Sequence, residues 1–225
     1  MLNFDSELEK LEENLNRDIL WRKKELINLK NEIDSKFKLN NQEVSFLIRG
    51  TIALVYAHWE GSIKSQLSSY IKFLNVLLKE KYIELDNYDN EILDLIFQPA
   101  IKTLSHNTKE KRLKGIESFR KLYFDKEILK IDANEVIDTK SNLSFEVLSK
   151  LFDKFKVQQL DNINDKFIEQ LLKDRNSIAH GERKYSKNIN EDIKKDIENR
   201  IERINKLIEI VKNNILEKAQ SYKKG

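Results

Sequence analysis

The chain has 225 residues, with 41 Lys and Arg against 38 Asp and Glu, for a net charge of +3; that balance excludes wholesale coating of nucleic acid but leaves room for local basic patches. There is no cysteine, which excludes disulfides and thiolate chemistry, and no run of about 18 apolar residues to span a membrane. One proline and five glycines are too few turn residues for a β-sandwich or a βαβ series, so the composition points to long helices and an all-α fold.

The start, Met1-Leu2-Asn3-Phe4-Asp5, is polar and acidic and lacks the basic, then apolar, pattern of a signal peptide. With the absence of cysteine, this makes a cytoplasmic protein the expectation. Residues 1–225 read as a single helical domain, with about 1–38 as a possible N-terminal helical arm.

From about Ser6 to Phe37 the sequence predicts one amphipathic helix, with Leu8, Leu11, Leu15, Ile19, Leu26, Leu29 and Ile33 recurring at threes, fours and sevens. Asp5 or Ser6 is the expected cap. The stripe suits an arm packed on a bundle or a seam with a coiled-coil partner. Lys38-Leu39-Asn40-Asn41 should break the helix, and a second helix is expected from about Gln42 to Lys81. Its middle, Phe46–Ile63, is the most apolar part of the chain and the expected central core. Ile52, Val55, Trp59 and Ile63 form one stripe; Tyr56, Glu60 and Lys64 form another at steps of four. The second stripe is either an ordinary Glu–Lys helix pair beside a core tyrosine or part of a site. His58 reads as a core-edge histidine.

Tyr82–Asn90 reads as a polar connector. A short helix is expected from about Glu91, split or restarted by Pro99. Ser105-His106-Asn107-Thr108 reads as a loop with His106 on the surface. Lys109, Lys111, Arg112 and Lys114 form a basic cluster, either a solvated charge run or an RNA phosphate-backbone contact. Ile116–Phe124 is a predicted short helix, and Ile128–Ile137 reads as extended or irregular. Ser144 should cap a helix running to about Phe155. Another helix should start near Asn164 or Asp165 and end at His180, with Gly181 as a left-handed stop. After a loop from Arg183, Asn190 is the expected cap of a last helix reaching about Lys218, with its stripe of Ile193, Ile197, Ile201, Ile204, Ile208, Val211 and Ile215. The tail from Ser221 is expected to be disordered.

The chemistry available is narrow. Three histidines stand at 58, 106 and 180, without cysteine or a His-Glu-x-x-His pair, so no zinc site is credible. No Gly-x-Gly or Gly-Lys-Ser/Thr string is present to hold a phosphate, and no cofactor is expected. The notable string is Arg175-Asn176-Ser177-Ile178-Ala179-His180-Gly181, at the end of a helix. Asn176 and His180 are four apart and share a face. Arg175 and His180 are five apart, roughly 140° around the axis, so they share none. The plain alternative is that His-Gly is an ordinary helix ending, the imidazole sitting at the negative end of the dipole.

This string resembles the signature of the HEPN superfamily: an arginine, an adjacent polar residue, a short gap, then histidine late in an α-helix. Tyr56-Ala57-His58-Trp59-Glu60-Gly61 is similar to the second-helix segment of the MAE-type (RiboL-PSP) bacterial members, and Ile137-Asp138-Thr139-Lys140-Ser141-Asn142-Leu143 resembles the connector before their later helices. The three landmarks keep the family's order from about Glu43 onward. Position 182 is Glu, not the tyrosine that partner nucleotidyltransferases modify in some members, so that control is not implied here.

The resemblance implies an antiparallel helical bundle that dimerises through the motif helix, and a metal-independent endoribonuclease acting on single-stranded RNA. Arg175 and His180 would carry the chemistry and Asn176 would support it, with Glu60, Tyr56 and Lys64 facing the same cleft. Lys109, Lys111 and Arg112 would be candidate RNA-backbone contacts. The implied partners are RNA, a second copy of the chain and an antitoxin, restriction or anti-phage defence protein, with no membrane. Some relatives are non-catalytic modules that bind RNA, a nucleotide or a protein, and that alternative stays open.

Overall fold

The computed structural model describes residues 2–36, 41–124, 130–140, 142–161, 164–185 and 189–223, leaving aside the side chains of 41–43 and 122–123. Among these residues the protein is all α, with eight helices, one 3-10 turn and no strand. The helices are α1 (Phe4–Lys36), α2 (Asn41–Lys79), α3 (Asn90–Leu104), α4 (Lys109–Tyr123), α5 (Ala133–Val136), α6 (Phe145–Phe155), α7 (Asp165–Ala179) and α8 (Glu191–Gln220).

Three long helices, α1, α2 and α8, pack on one another and enclose most of the core. Each does so through its predicted stripe. Leu11, Leu15, Ile19, Leu26 and Ile33 of α1 are buried; Ile52, Val55, Trp59 and Ile63 of α2 are at most 1% exposed; Ile197 to Ile215 of α8 close the third side. Their repeats of three and four residues put all of them on inward faces. Buried Trp59 alone would cost about 3–5 kcal/mol to truncate to alanine. Thus α1 lies along the bundle, its stripe spent on the protein's own core. None of the helices among the described residues is long and apolar enough to cross a membrane.

Several expectations need correction. The α1 start is capped by Asn3, whose side-chain oxygen accepts from the Ser6 N–H at 3.2 Å, not by Asp5 or Ser6. Lys38, Leu39 and Asn40 fall outside the described residues. Phe46 is 74% exposed and Leu54 41%, so the apolar middle of α2 is not wholly core. Pro99 sits inside an unbroken α3; the loss of its N–H removes one helical bond without ending the helix, and its carbonyl accepts from the Thr103 hydroxyl at 2.8 Å. The basic cluster opens α4 at Lys109, seven residues before the expected start at Ile116. Ile128 and Leu129 fall outside the described residues; within 130–137 a turn, α5, forms where the Asp132 carboxylate accepts from the Asn134 N–H. At the other end, Ser221–Lys223 are ordered onto the bundle. Tyr222 is buried beside Tyr88, its hydroxyl donates to Asp89, and Lys223 pairs with Asp5.

Elsewhere the local chemistry follows the sequence. Ser144 caps α6 through the Val147 N–H, and Asn190 caps α8 through the Ile193 N–H. Asn164 precedes α7 without capping it, because its side-chain oxygen accepts instead from Arg203 of α8.

Candidate functional site

The last two turns of α7 carry the Arg–Asn–His string. Ile168, Leu171 and Leu172 bury one side of the helix, which packs on α2. The helix stops by a Schellman turn: the Gly181 N–H donates to the Ile178 carbonyl at 3.0 Å and the Glu182 N–H to the Ser177 carbonyl at 2.9 Å. Gly181 takes φ of 81° to close it, a conformation that costs glycine nothing. His180 is therefore the C-cap residue, exposed to solvent.

Arg175 is held on three sides. Its Nη1 donates to Asn176 Oδ1 at 2.8 Å, its Nη2 lies 3.6 Å from Glu60 Oε2, and its Cζ sits 4.3 Å over the Tyr56 ring. A guanidinium is flat and can stack and form an ion pair at once, which lysine cannot. Tyr56 and Glu60 are one turn apart on α2, so the helical period alone presents both to α7.

The connector between α5 and α6 braces that pair from behind. The Leu143 N–H donates to the Tyr56 hydroxyl oxygen at 2.6 Å, and the Thr139 hydroxyl donates to Glu60 Oε1 at 2.7 Å. Lys64 Nζ lies 2.8 Å from the same Glu60 oxygen. Burial alone would push the Glu60 carboxyl up, but hydrogen bonds from Lys64, Thr139 and Tyr56 together hold it below the usual range. Burial, with the Glu60 charge beside it, pushes the Tyr56 phenol up to about 12. At neutral pH the arginine thus meets a carboxylate and a neutral ring.

The fold brings Tyr56, Glu60, Lys64, Arg175 and Asn176 together. His180 lies at the same helix end but on the exposed side, its backbone N–H bonded to the Asn176 carbonyl at 2.9 Å. Lys109, Lys111 and Arg112 belong to α4, which packs on α3. His58 is 4% exposed with its Nε2 3.2 Å from Glu25, and His106 is exposed.

Two contributors escape a reading of the sequence. Asp174, next to Arg175, is 2% exposed. Its carboxylate accepts from Gln170, Lys184, Arg200 and Tyr185 at 2.6–3.3 Å. These bonds tie the chain after Gly181 to α7 and α8. Its signal is positional: it falls on the apolar register of Phe167, Leu171 and Ile178, where an unpaired carboxylate would not be tolerated. Thr139 gave no such signal, because a loop has no period to read.

A family model described as RiboL-PSP-HEPN matches residues 17–217 of the chain. No curated protein matches it, and no solved structure does.

Proposed function

This chain belongs to the RiboL-PSP-HEPN family, and from that premise we propose that it is a metal-independent endoribonuclease that cuts single-stranded RNA, working as a toxin or defence effector. The observation that carries the reading is the fixed guanidinium of Arg175, braced by Tyr56, Glu60 and Asn176 at the same helix end as an exposed imidazole.

RNA supplies its own nucleophile. The 2′-hydroxyl oxygen attacks the adjacent phosphorus, its proton passes to a base, and the bond from phosphorus to the 5′-oxygen breaks as that oxygen takes a proton. The products are a 2′,3′-cyclic phosphate and a 5′-hydroxyl end. His180 moves one of these protons, since an imidazole has one nitrogen to accept a proton and another to donate one. Arg175 balances the charge that builds on the phosphorane, for which a bidentate cation is well shaped. Asn176 keeps the guanidinium aimed, and Glu60, with Lys64 and Tyr56 around it, sets its angle from α2.

The two groups lie five residues apart and on different sides of α7. A twofold pairing of two chains along α7 supplies what one chain lacks, with Arg175 of one beside His180 of the partner subunit.

The test is cleavage of a single-stranded RNA oligomer by the purified protein in EDTA. Wild type should cut it, leaving a cyclic phosphate, and should fail on the DNA analogue. His180→Ala and Arg175→Ala should each lose at least about a hundredfold in rate. The exposed His180 can be removed with the unfolding midpoint unchanged, whereas Arg175→Ala leaves Glu60 without its guanidinium and should lower the midpoint while the protein stays folded at the assay temperature. Cleavage that requires added divalent metal defeats the mechanism. Tight RNA binding with no cleavage would instead make the chain a binding module.

A further inference from the structure

Among the described residues, the helix α4 packs on one neighbour, α3. Of its residues with described side chains, Gly115 is buried, Ser118 and Lys121 are half-buried, and the rest are exposed. Gly115 is where it touches α3: a Cβ there would meet the Leu104 backbone nitrogen at 2.7 Å and the Thr103 carbonyl carbon at 3.0 Å. The two helices therefore meet backbone to backbone there, and among the described residues no helix is layered over the outer side of α4.

That outer side is apolar and cationic together. Among the described residues, Leu113 and Ile116 stand exposed on that side, while Phe119 packs on Phe97 of α3, and Ile101 of α3 and Phe124 past the helix end are exposed nearby. Leu113 is 55% exposed and Ile116 56%. Lys109, Lys111, Arg112, Lys114, Arg120 and Lys121 stand on α4 against Glu110 and Glu117, a net +4 where the entire chain has +3, so the remainder is −1. Both carboxylates are taken by Lys114 and Lys121, one turn on. Lys109, Arg112, Leu113, Ile116 and Arg120 follow one another at steps of three, four or one, which places them on one side of the helix. Among the described residues, Lys109, Arg112 and Arg120 form no ion pair.

A helix without a buried stripe gains little from its own fold and is completed by something outside it. The pattern selects what that is. RNA would take the cations but leave Leu113 and Ile116, the apolar pair between them, uncovered, since aliphatic side chains offer no ring on which a base can stack; the rings nearby are Phe119, which packs on Phe97 of α3, and Phe124, past the end of the helix. A helix lying in a bilayer surface separates its apolar face from its charged face, whereas here cations and apolar groups alternate on one face. A second copy of α4 would set like charges opposite one another. An acidic, amphipathic protein segment satisfies both components, with carboxylates facing Lys109, Arg112 and Arg120 and apolar side chains closing over Leu113 and Ile116. We infer that the outer face of α4 is a docking surface for such a segment of another protein.

The experiment uses the full chain and a synthetic helical peptide of about 20 residues, with leucines at heptad a and d positions and glutamates beside them. Wild type should bind it, more weakly as salt rises. Arg112→Glu with Arg120→Glu should weaken binding at least about tenfold, and a peptide with lysines for the glutamates should bind that variant and not wild type. Leu113→Ser with Ile116→Ser should weaken the glutamate peptide by a similar factor at unchanged charge. Failure of the peptide to bind wild type overturns the inference, as does full binding by the serine variant, which would reduce the surface to bulk charge. Tighter binding of phosphatidylglycerol vesicles or of a single-stranded RNA oligomer, lost in the same variants, overturns it in favour of that ligand. Self-association abolished by these substitutions does so in favour of a second copy.

Discussion

Asp174 shows how a single buried charge can hold a loop. Its carboxylate is compensated by Arg200 and Lys184, and the bonds they donate outweigh burial, keeping its acidity stronger than usual. A lowered folded-state value means that the stabilisation is present above the unfolded value, 3.8, and is lost as pH falls through the folded one. His58 acts earlier in the same direction. Burial lowers it from 6.5 despite the nearby Glu25 carboxylate, so below about pH 6.5 the unfolded chain takes up a proton that the folded protein refuses. Urea unfolding should therefore show two losses on acidification, the first below about pH 6.5 and the second below about pH 4. Asp174→Asn should lower stability at pH 7 by about 3 kcal/mol, because it leaves Arg200 and Lys184 without their counter-charge, and should shrink the second loss. His58→Gln should remove the first. A variant with an unaltered acid profile would show that Asp174 carries no such linkage.

At the level of the helix, the turn at Gly181 invites the next test. Alanine there must take φ near 81°, a strain of about 1 kcal/mol or more, for a drop in melting temperature of roughly 2–4 °C. A calorimetric scan of Gly181→Ala measures it, and no drop would mean that the turn relaxes to another form. This ending could be read in advance because Gly after a periodic run is a local signal, as were the Ser144 and Asn190 caps. The same is true of the stripes of α1, α2 and α8, where burial repeats with the helical period. What could not be read depends on contacts distant in sequence. Pro99 stays within α3 although proline alone suggests a break. The start of α4 lies in a run of charges with no apolar period to mark it. At the site, the stacking of Arg175 on Tyr56 joins residues more than a hundred positions apart, and only the likeness of the two segments to one family placed them side by side. The docking of Thr139 on Glu60 had no period to announce it; only the likeness of residues 137–143 to the family's connector marked the segment, and not the contact.

For the molecule as a whole, the question is whether one chain or two make the site. If Arg175 of one chain works with His180 of the partner subunit, mixing Arg175→Ala with His180→Ala should restore cutting. Half of the randomly reassorted dimers are mixed, and each mixed dimer holds one intact pair out of two, so about a quarter of wild-type activity should return. Mixing under conditions that allow subunit exchange, followed by the RNA cleavage assay, measures this; no recovery after confirmed exchange would place both groups within one chain. The lopsided charge of α4 has a simpler outcome at the bench. The sequence isoelectric point is about 8.7, so by titration the protein turns negative at about pH 9, yet a resin responds to the face it meets and not to the mean over the surface. Retention on a sulfonate column above the isoelectric point, lost in Arg112→Glu with Arg120→Glu, is the chromatographic signature of a molecule whose net positive charge resides on one helix.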